Sequence, residues 1–281
     1  MAIHLAENSY GNSRVRLLRV TRQQGRHDVK EINLAIRFEG DFEAAHAQGD
    51  NRKILPEDTM KNTVYALARQ HSIEAIENLG LHLIDHFLTY NPQISRVFVS
   101  AAETLWTRFP HGGKPHPSTF TRGGDEKRTA EVSGTRDRIE IRAGTENLGV
   151  LKTSNSTFEN FLKDPYTTLE DKQDSIVSTT VSADWLYTEE DVEFAPLWHA
   201  VRQMLLETFA EHQSRSLQHT VYAMGEAILN NFENVGEIHL SLANKHFNLL
   251  DLAPLGMDNP GEVFLPTEEP QGIIEATLKK T

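Results

Sequence analysis

The sequence predicts an α+β fold built from two consecutive units, each with the element order β-β-α-α-β-β. Three observations predict it. Some runs alternate apolar and polar residues as half-buried strands do, others place apolar residues three or four positions apart as helices do, and both halves of the chain show the same order of runs. A repeated order indicates an internal duplication, with units at residues 10–142 and 143–281.

The first unit opens with two predicted strands. Val15, Leu17 and Arg19 alternate with their neighbours, and the turn sequence Gln23-Gln24-Gly25 leads to a second extended run at residues 29–38. Pro56-Glu57-Asp58 then indicates a helix start, because proline suits the first helical turn and acidic side chains favour the positive end of a helix.

Two helices and further strands complete the first unit. Residues 97–109 and 129–141 look extended, around a turn-rich segment at residues 111–115. The apolar positions that predict the two helices are Met60, Val64, Leu67 and Ala68, followed by Ile76, Leu79, Leu83 and Phe87.

The second unit repeats this order. An extended run at residues 176–187 leads through an acidic stretch at residues 189–191 to two helices, and strands return at residues 238–242 and 273–278. An antiparallel sheet with helices on one face leaves its other face to be covered, so we expect an oligomer. The helical positions are Leu197, Val201, Met204 and Leu205, followed by Leu217, Val221, Met224 and Ile228.

The composition excludes several kinds of site and partner. The 281 residues include no cysteine, which excludes disulfides, thiolate nucleophiles and zinc–thiolate sites. A formal net charge of -12 argues against nucleic acid as a partner, since such binding needs clustered Lys and Arg. The sequence has no apolar run of membrane-spanning length, no signal-peptide pattern and no peroxisomal address, so we expect no membrane association and a cytoplasmic location.

General catalytic motifs are absent from the sequence. There is no P-loop, no dinucleotide-binding glycine motif, no paired-histidine zinc motif and no nucleophile elbow. His111 and His116 lie close together in a Gly/Pro-rich loop, but two histidines in such a loop are weak evidence for a metal. We therefore expect no metal site.

Longer segments carry a more specific signal. Tyr10-Gly11-Asn12-Ser13-Arg14-Val15-Arg16 resembles the opening of the urate oxidase (uricase) family. Further blocks resemble that family in the same order and with similar spacing. They lie at residues 40–45, 49–51, 58–65, 113–117, 150–156, 164–169 and 244–247.

The resemblance implies a tandem tunnelling fold (T-fold), whose antiparallel sheets form a tunnel-shaped barrel on oligomerisation. It also implies a homotetramer with active sites shared between subunits. In such enzymes urate is oxidised by dioxygen with no metal, flavin or other cofactor, because the deprotonated purine itself passes an electron to oxygen. The protein must then deprotonate the substrate, hold a flat anion and keep a small polar site for oxygen or water.

Six positions match the family's functional residues, and one of them is Asp58, which corresponds to the aspartate beside the relay threonine. The resemblance assigns Phe158 to the aromatic that stacks on the purine and Gln218 to the amide that pairs with its pyrimidine edge. Leu217 supplies a backbone contact beside it. Asn244 corresponds to the asparagine at the oxygen or water site, and His246 to the histidine of the proton relay.

Three other positions depart from the pattern. Asn12 replaces the expected lysine and cannot act as a base. Glu57 replaces the relay threonine, directly before Asp58, which matches the family's aspartate. Ser175 replaces the arginine that clamps urate, and it supplies neither the charge nor the fork geometry of a guanidinium. These exchanges make the formal charge of the pocket about 3 more negative, which disfavours an anion.

Each candidate also has an interpretation without function. Phe158 could be a core aromatic, Gln218 a helix cap or surface residue, and His246 a buried histidine with satisfied hydrogen bonds. Glu57 could simply favour a helix start.

Three functions remain open. The leading hypothesis is an enzyme of urate oxidase ancestry that acts on a planar nitrogen heterocycle less anionic than urate. Glu57 would accept a hydrogen bond or act as general base, and Ser175 would leave room for a water. Oxygen chemistry and a hydrolytic step are both compatible with Asn244. The second hypothesis is urate oxidation with a rearranged relay, giving 5-hydroxyisourate and hydrogen peroxide, and the third is a non-catalytic purine-binding protein.

Overall fold

The computed structural model describes residues 3–281, with the backbone alone described at residues 268–270. The chain forms two compact units. The first holds the residues up to Gly144 together with Leu186–Trp198, and the second holds Thr145–Trp185 together with His199–Thr281. The limits expected for the duplicated units, 10–142 and 143–281, stay a prediction.

The first unit contains one extended sheet, a small hairpin and three helices. Its sheet has the strand order β1-β2-β3-β6-β7, and β4 pairs separately with β5. The pairs β1–β2, β2–β3, β3–β6 and β4–β5 are antiparallel. The elements are β1 (Tyr10–Gln23), β2 (Arg26–Gly40), α1 (Glu43–Gln48), a 3-10 turn (Asn51–Lys53), α2 (Glu57–Gln70), α3 (Ile76–Tyr90), β3 (Ile94–Thr104), β4 (Thr107–His111), β5 (Lys114–Thr121), β6 (Lys127–Gly134) and β7 (Ile139–Lys152).

The second unit contains a sheet of order β7-β8-β9-β10, since β7 continues past Gly144. Strands β9 and β10 pair antiparallel, with a register shift between Thr267 and Gly272. The further elements are β8 (Val177–Tyr187), α4 (Phe194–Glu211), α5 (Leu217–Asn231), β9 (Val235–Leu249), a 3-10 turn (Ala253–Leu255) and β10 (Phe264–Lys279).

The predicted α+β class with antiparallel sheets is confirmed. The first unit adds the short helix α1 and the β4–β5 hairpin to the expected element order. No helix in the described part of the chain combines the length and apolarity needed to cross a membrane.

Helices α2 and α3 form where the apolar spacing predicts them. Helix α2 begins at Glu57, directly after Pro56. All eight predicted apolar positions of α2 and α3 are buried. In α4 the predicted face is partly wrong, because Trp198 and Phe209 are buried whereas Leu197 and Met204 are only half-buried. The larger aromatic side chains bury more apolar area and so determine which side of the helix packs inward.

Two predicted strands are each interrupted. The run at residues 97–109 breaks at Leu105 and Trp106, where the Trp106 indole donates to a Glu31 carboxylate oxygen at 3.1 Å. The run at residues 129–141 contains a tight turn, in which the Thr135 N–H donates to the Arg138 carbonyl at 2.8 Å. Arg136 in that turn donates to the carbonyls of Leu88 in α3, Asn91 just after α3 and Ile94 at the start of β3. These contacts are distant in sequence, so strand periodicity could not reveal the turn.

A buried ion pair lies in the first unit. Arg128 Nη2 donates to both carboxylate oxygens of Glu77, at 2.9 and 2.7 Å, and the two side chains are 3% and 0% exposed. Burial raises the pKa of Glu77, although the guanidinium opposes that rise. The guanidinium also lies 5.3 Å from the Trp198 ring, whose indole donates to the Gly144 carbonyl at 2.7 Å. The pair therefore joins α3 to β6 inside the apolar core.

A pair of histidines occurs in each unit. His71 directly follows α2, and its ring stacks on His82 of α3 at a centroid distance of 4.0 Å. His212 directly follows α4, and its ring lies edge-on to His219 of α5 at 4.3 Å. Burial lowers the pKa of His82 and of His212, and the neighbouring histidine adds to each effect.

Candidate active site

The second unit contains a cavity of about 910 Å³. Its lining comes from the segment between β7 and β8, the start of α5, and strands β9 and β10. Six residues assigned from the sequence line it together. They are Phe158, Ser175, Leu217, Gln218, Asn244 and His246.

Phe158 offers an aromatic face to this cavity. Its ring is 36% exposed, so the interpretation as a core aromatic is wrong. The Phe161 ring stacks on it at 5.0 Å with only 8° between the ring planes. A flat ligand can therefore stack on the opposite face of Phe158.

Ser175 is held against Ser156. The Ser175 N–H donates to the Ser156 carbonyl at 3.1 Å, and the buried Ser156 hydroxyl donates to the Ser175 carbonyl. The two hydroxyl oxygens are 3.3 Å apart. The position therefore contributes a short neutral side chain to the cavity wall.

Leu217 and Gln218 are the first two residues of α5. The helix is capped by Ser216, whose hydroxyl accepts from the His219 N–H at 3.1 Å, so Gln218 is not the cap. The N–H groups of a first helical turn have no partner within the helix and attract electron-rich atoms. This end of α5 thus supplies donors to the cavity beside an exposed amide side chain.

Asn244 and His246 lie two positions apart on β9, where side chains two apart share one side of a strand. Asn244 pairs with Gly272 and His246 with Thr267, on either side of the register shift in β10. His246 is exposed, so the interpretation as a buried structural histidine is wrong.

The first unit holds the other candidate residues. Asn12 Nδ2 donates to the Glu57 backbone carbonyl at 3.2 Å. The Tyr10 hydroxyl accepts from the Leu55 N–H at 2.8 Å, which fixes the chain just before α2. Gly11 is required here, because a Cβ atom at this position would lie 1.9 Å from the Ile36 carbonyl oxygen. The structure therefore brings Asn12 and Glu57 together.

Asp58 follows Glu57 on the exposed first turn of α2. Its carboxylate accepts hydrogen bonds from Lys61 and, at 3.4 Å, from Asn62. The Lys61 ammonium lowers the pKa of Asp58, so this carboxylate is ionised at neutral pH. Glu57 has helix-start geometry as well, so both interpretations of Glu57 stay open.

A second cavity, of about 660 Å³, lies in the first unit and includes Asn12 in its lining. The Arg37 and Arg96 guanidinium carbons lie 4.0 and 4.5 Å from the centroid of the Phe98 ring. This cluster was not predicted from the sequence. Alternation along β2 and β3 places these side chains on the face opposite the buried Ile36 and Val99, and that pattern was the available signal.

Metal-ligand geometry is not found among the described residues, which contain no group of three or more His, Asp or Glu suited to a metal ion. The His111 and His116 rings lie 6.2 Å apart on the β4–β5 hairpin.

The histidine pair of the second unit makes stability there sensitive to acid. His212 precedes Ser214 and Ser216, which line the cavity, and its Nε2 is buried without a partner among the described atoms. Burial, then His219, then Lys152 lower the pKa of His212 from its ordinary value of 6.5. Folding therefore disfavours the protonated ring. The folded state has its full stability at a pH above the ordinary pKa and loses stability as the pH falls below it, because the unfolded chain binds the proton more tightly.

We expect the urea concentration at the midpoint of unfolding to be lower at about pH 5 than at about pH 7. This decrease should be smaller in His212→Gln, since glutamine does not titrate. Parallel urea titrations at the two pH values measure this. His111→Gln, on the exposed hairpin, is the matched control and should retain the full acid loss. An unchanged loss in His212→Gln would show that other groups cause it.

The fold and site define a class of protein: an α+β chain with two sheet-and-helix units and a small-molecule cavity that carries an aromatic face and polar side chains. The "Uricase" family model matches residues 8–133 and 141–275. Uricases from Arthrobacter globiformis and Aspergillus flavus are 42% and 35% identical, covering 98% and 97% of this chain and 90% and 95% of theirs.

The chain belongs to the uricase family and is an oxidoreductase of that family. The crystal structure of Arthrobacter globiformis uricase superposes with a TM-score of 0.94 at 40% identity, covering all of this chain and 96% of that one. A uricase from Bacillus fastidious shares the fold, with a TM-score of 0.83 at 20% identity over 97% of this chain and 93% of that one.

Proposed function

We propose that the chain oxidises urate with dioxygen and water to 5-hydroxyisourate and hydrogen peroxide. The observation that supports this most strongly is the second-unit cavity, which brings all six second-unit candidates together in a chain 42% identical to a uricase. The activity is the second hypothesis from the sequence, and the relatives favour it over the leading one.

The cavity supplies two of the three capacities that the reaction needs. The free face of Phe158 holds the flat ring by stacking, while the Gln218 amide and the Leu217 N–H bind its polar edge. Asn244 and His246 hold oxygen or water and relay a proton. These roles fit a substrate whose own π-system supplies the electrons, so that the chain mainly positions the reactants.

The third capacity is deprotonation, which we assign to Glu57. The Asn12 amide cannot accept the proton, but it donates to the Glu57 backbone and so orients the start of α2. Both Glu57 and Asp58 are exposed, but the Asp58 carboxylate accepts a hydrogen bond from Lys61, so we assign the role of base to Glu57. A carboxylate is a weaker base than a lysine–threonine relay could provide, so the substrate must reach the site already as an anion.

A second candidate function is oxidation of a planar nitrogen heterocycle less anionic than urate. It is favoured by Ser175, which contributes no charge to the cavity wall, and by the carboxylate at Glu57.

For both candidate functions we propose a homotetramer whose subunits complete one another's active sites. The cytoplasmic location stays a prediction.

Loss of the urate absorption band with matching oxygen uptake by the purified protein tests the proposal. Turnover of another purine or azapurine with no turnover of urate would favour the second candidate. Purine binding with no turnover of any of them would favour the non-catalytic hypothesis.

Phe158→Ala should raise the KM for urate by about 5- to 100-fold, because stacking of a base on an aromatic side chain is lost. Steady-state kinetics measure this. Tyr166→Ala is the matched control, since Tyr166 is an aromatic of the same segment that is 89% exposed. Equal kinetic effects of the two substitutions would contradict the role of Phe158.

A further inference from the structure

We propose that Lys172 supplies the positive charge that holds an anionic purine against Phe158, in place of the guanidinium missing at Ser175. This inference rests on the proposed function, because it deepens the account of the same cavity. Neither the sequence pattern nor the family resemblance gives Lys172 a role.

Backbone pairing puts Lys172 beside the aromatic face. The Phe158 N–H donates to the Lys172 carbonyl at 2.8 Å, and the Lys172 N–H donates to the Phe158 carbonyl at 3.0 Å. The two residues thus form an antiparallel bridge with both hydrogen bonds made. Residues directly opposite in such a pair have Cα atoms about 5.5 Å apart and extend their side chains to the same side. Both also line the cavity.

Lys172 offsets the negative charges of the cavity lining. The carboxylates of Asp174 and Glu262 line it, and Ser175 is neutral. Without Lys172 these carboxylates would repel an anion that enters to stack on Phe158. Lys245 also lines the cavity, but it follows Asn244 on β9, so its side chain leaves the opposite side of the strand from Asn244 and His246.

Lys172 is available for a ligand. Among the side chains that the structure describes, Lys163 of the same segment forms an ion pair with Asp171 at 3.7 Å and lies 5.2 Å from the Phe161 ring, whereas Lys172 forms no ion pair. Lys172 is exposed, so its ammonium is hydrated until a ligand replaces the water.

The chemistry of an ammonium defines the class of ligand. It is a compact point charge without the planar fork of a guanidinium, so it recognises charge more than edge geometry. The ligand is therefore a planar heterocycle carrying one negative charge, such as the urate monoanion. A neutral purine stacks on Phe158 without using Lys172.

The test compares Lys172→Gln, Lys172→Arg and Lys163→Gln with the unmodified chain. Calorimetry measures binding of urate and of the neutral purine hypoxanthine, and kinetics measure urate turnover. Lys172→Gln should weaken urate binding and raise its KM by about 10- to 100-fold, because a charge-assisted hydrogen bond is lost, with a smaller effect on kcat. Hypoxanthine binding should not change, Lys172→Arg should largely restore urate binding, and Lys163→Gln should match the unmodified chain.

The outcomes separate this inference from the function on which it rests. Normal urate binding by Lys172→Gln, or equal weakening of urate and hypoxanthine, would overturn the role of Lys172 even if urate is oxidised. Urate binding that depends on Lys172 without oxidation would overturn the proposed function and leave the charge role standing. If the unmodified chain binds no urate, both fail.

Discussion

Replacing Arg128 with methionine is expected to lower the free energy of unfolding by about 3–5 kcal/mol, since removing one partner of a buried ion pair leaves the other charge uncompensated. Glu77 would remain fully buried with neither of its two hydrogen bonds from Arg128. Urea unfolding of the purified variant measures the loss. Because burial already raises the pKa of Glu77, the carboxylate of the variant can take up a proton. At acidic pH the loss of stability should therefore be near the lower end of this range.

The matched control is the double variant Glu77→Leu with Arg128→Met. Apolar residues of similar volume often replace a buried ion pair at little net cost, so the double variant should recover most of the lost stability. A loss below about 1 kcal/mol in the single variant would mean that water reaches the site or that the carboxyl is already protonated.

Glu57→Gln is expected to lower kcat for urate by about 100- to 10,000-fold, the range over which a positioned general base contributes. Glutamine keeps the size and the helix start but removes the proton acceptor. Initial rates of urate loss at saturating substrate measure the effect. The unfolding midpoint should change little, because one exposed charge at a helix N-terminus contributes only about 0.3–1 kcal/mol.

Glu43→Gln provides the matched control, because Glu43 is the first residue of α1 as Glu57 is of α2. It should keep full activity. If Glu57→Gln shifts the midpoint and leaves kcat intact, Glu57 serves the helix rather than the chemistry.

Local patterns predicted the helices better than the turns. Helix α2 starts at Pro56-Glu57 and buries the four expected positions, because proline, acidic residues and apolar spacing all act within a few residues. The turn at Thr135–Arg138 was missed, because Arg136 finds its partners between the last turn of α3 and the start of β3. The face of α4 was partly wrong, because large aromatics such as Trp198 packed inward.

Some residues of the candidate site were predicted from the sequence and others were not. The family resemblance assigned Phe158, Gln218 and Asn244, and the structure brings them to one cavity. It could not assign Lys172, whose place depends on a backbone bridge to Phe158. A bridge between two residues of an irregular segment leaves no periodic pattern, so only coordinates reveal it.

The histidine pairs give each unit its own spectroscopic reporter. His71 and His82 are in contact in the first unit, as are His212 and His219 in the second, so the imidazole resonances of each pair shift together when their helices separate. Proton NMR of the histidine side chains can therefore follow each unit separately. A ligand that protects one pair from acid more than the other would reveal which unit it holds closed.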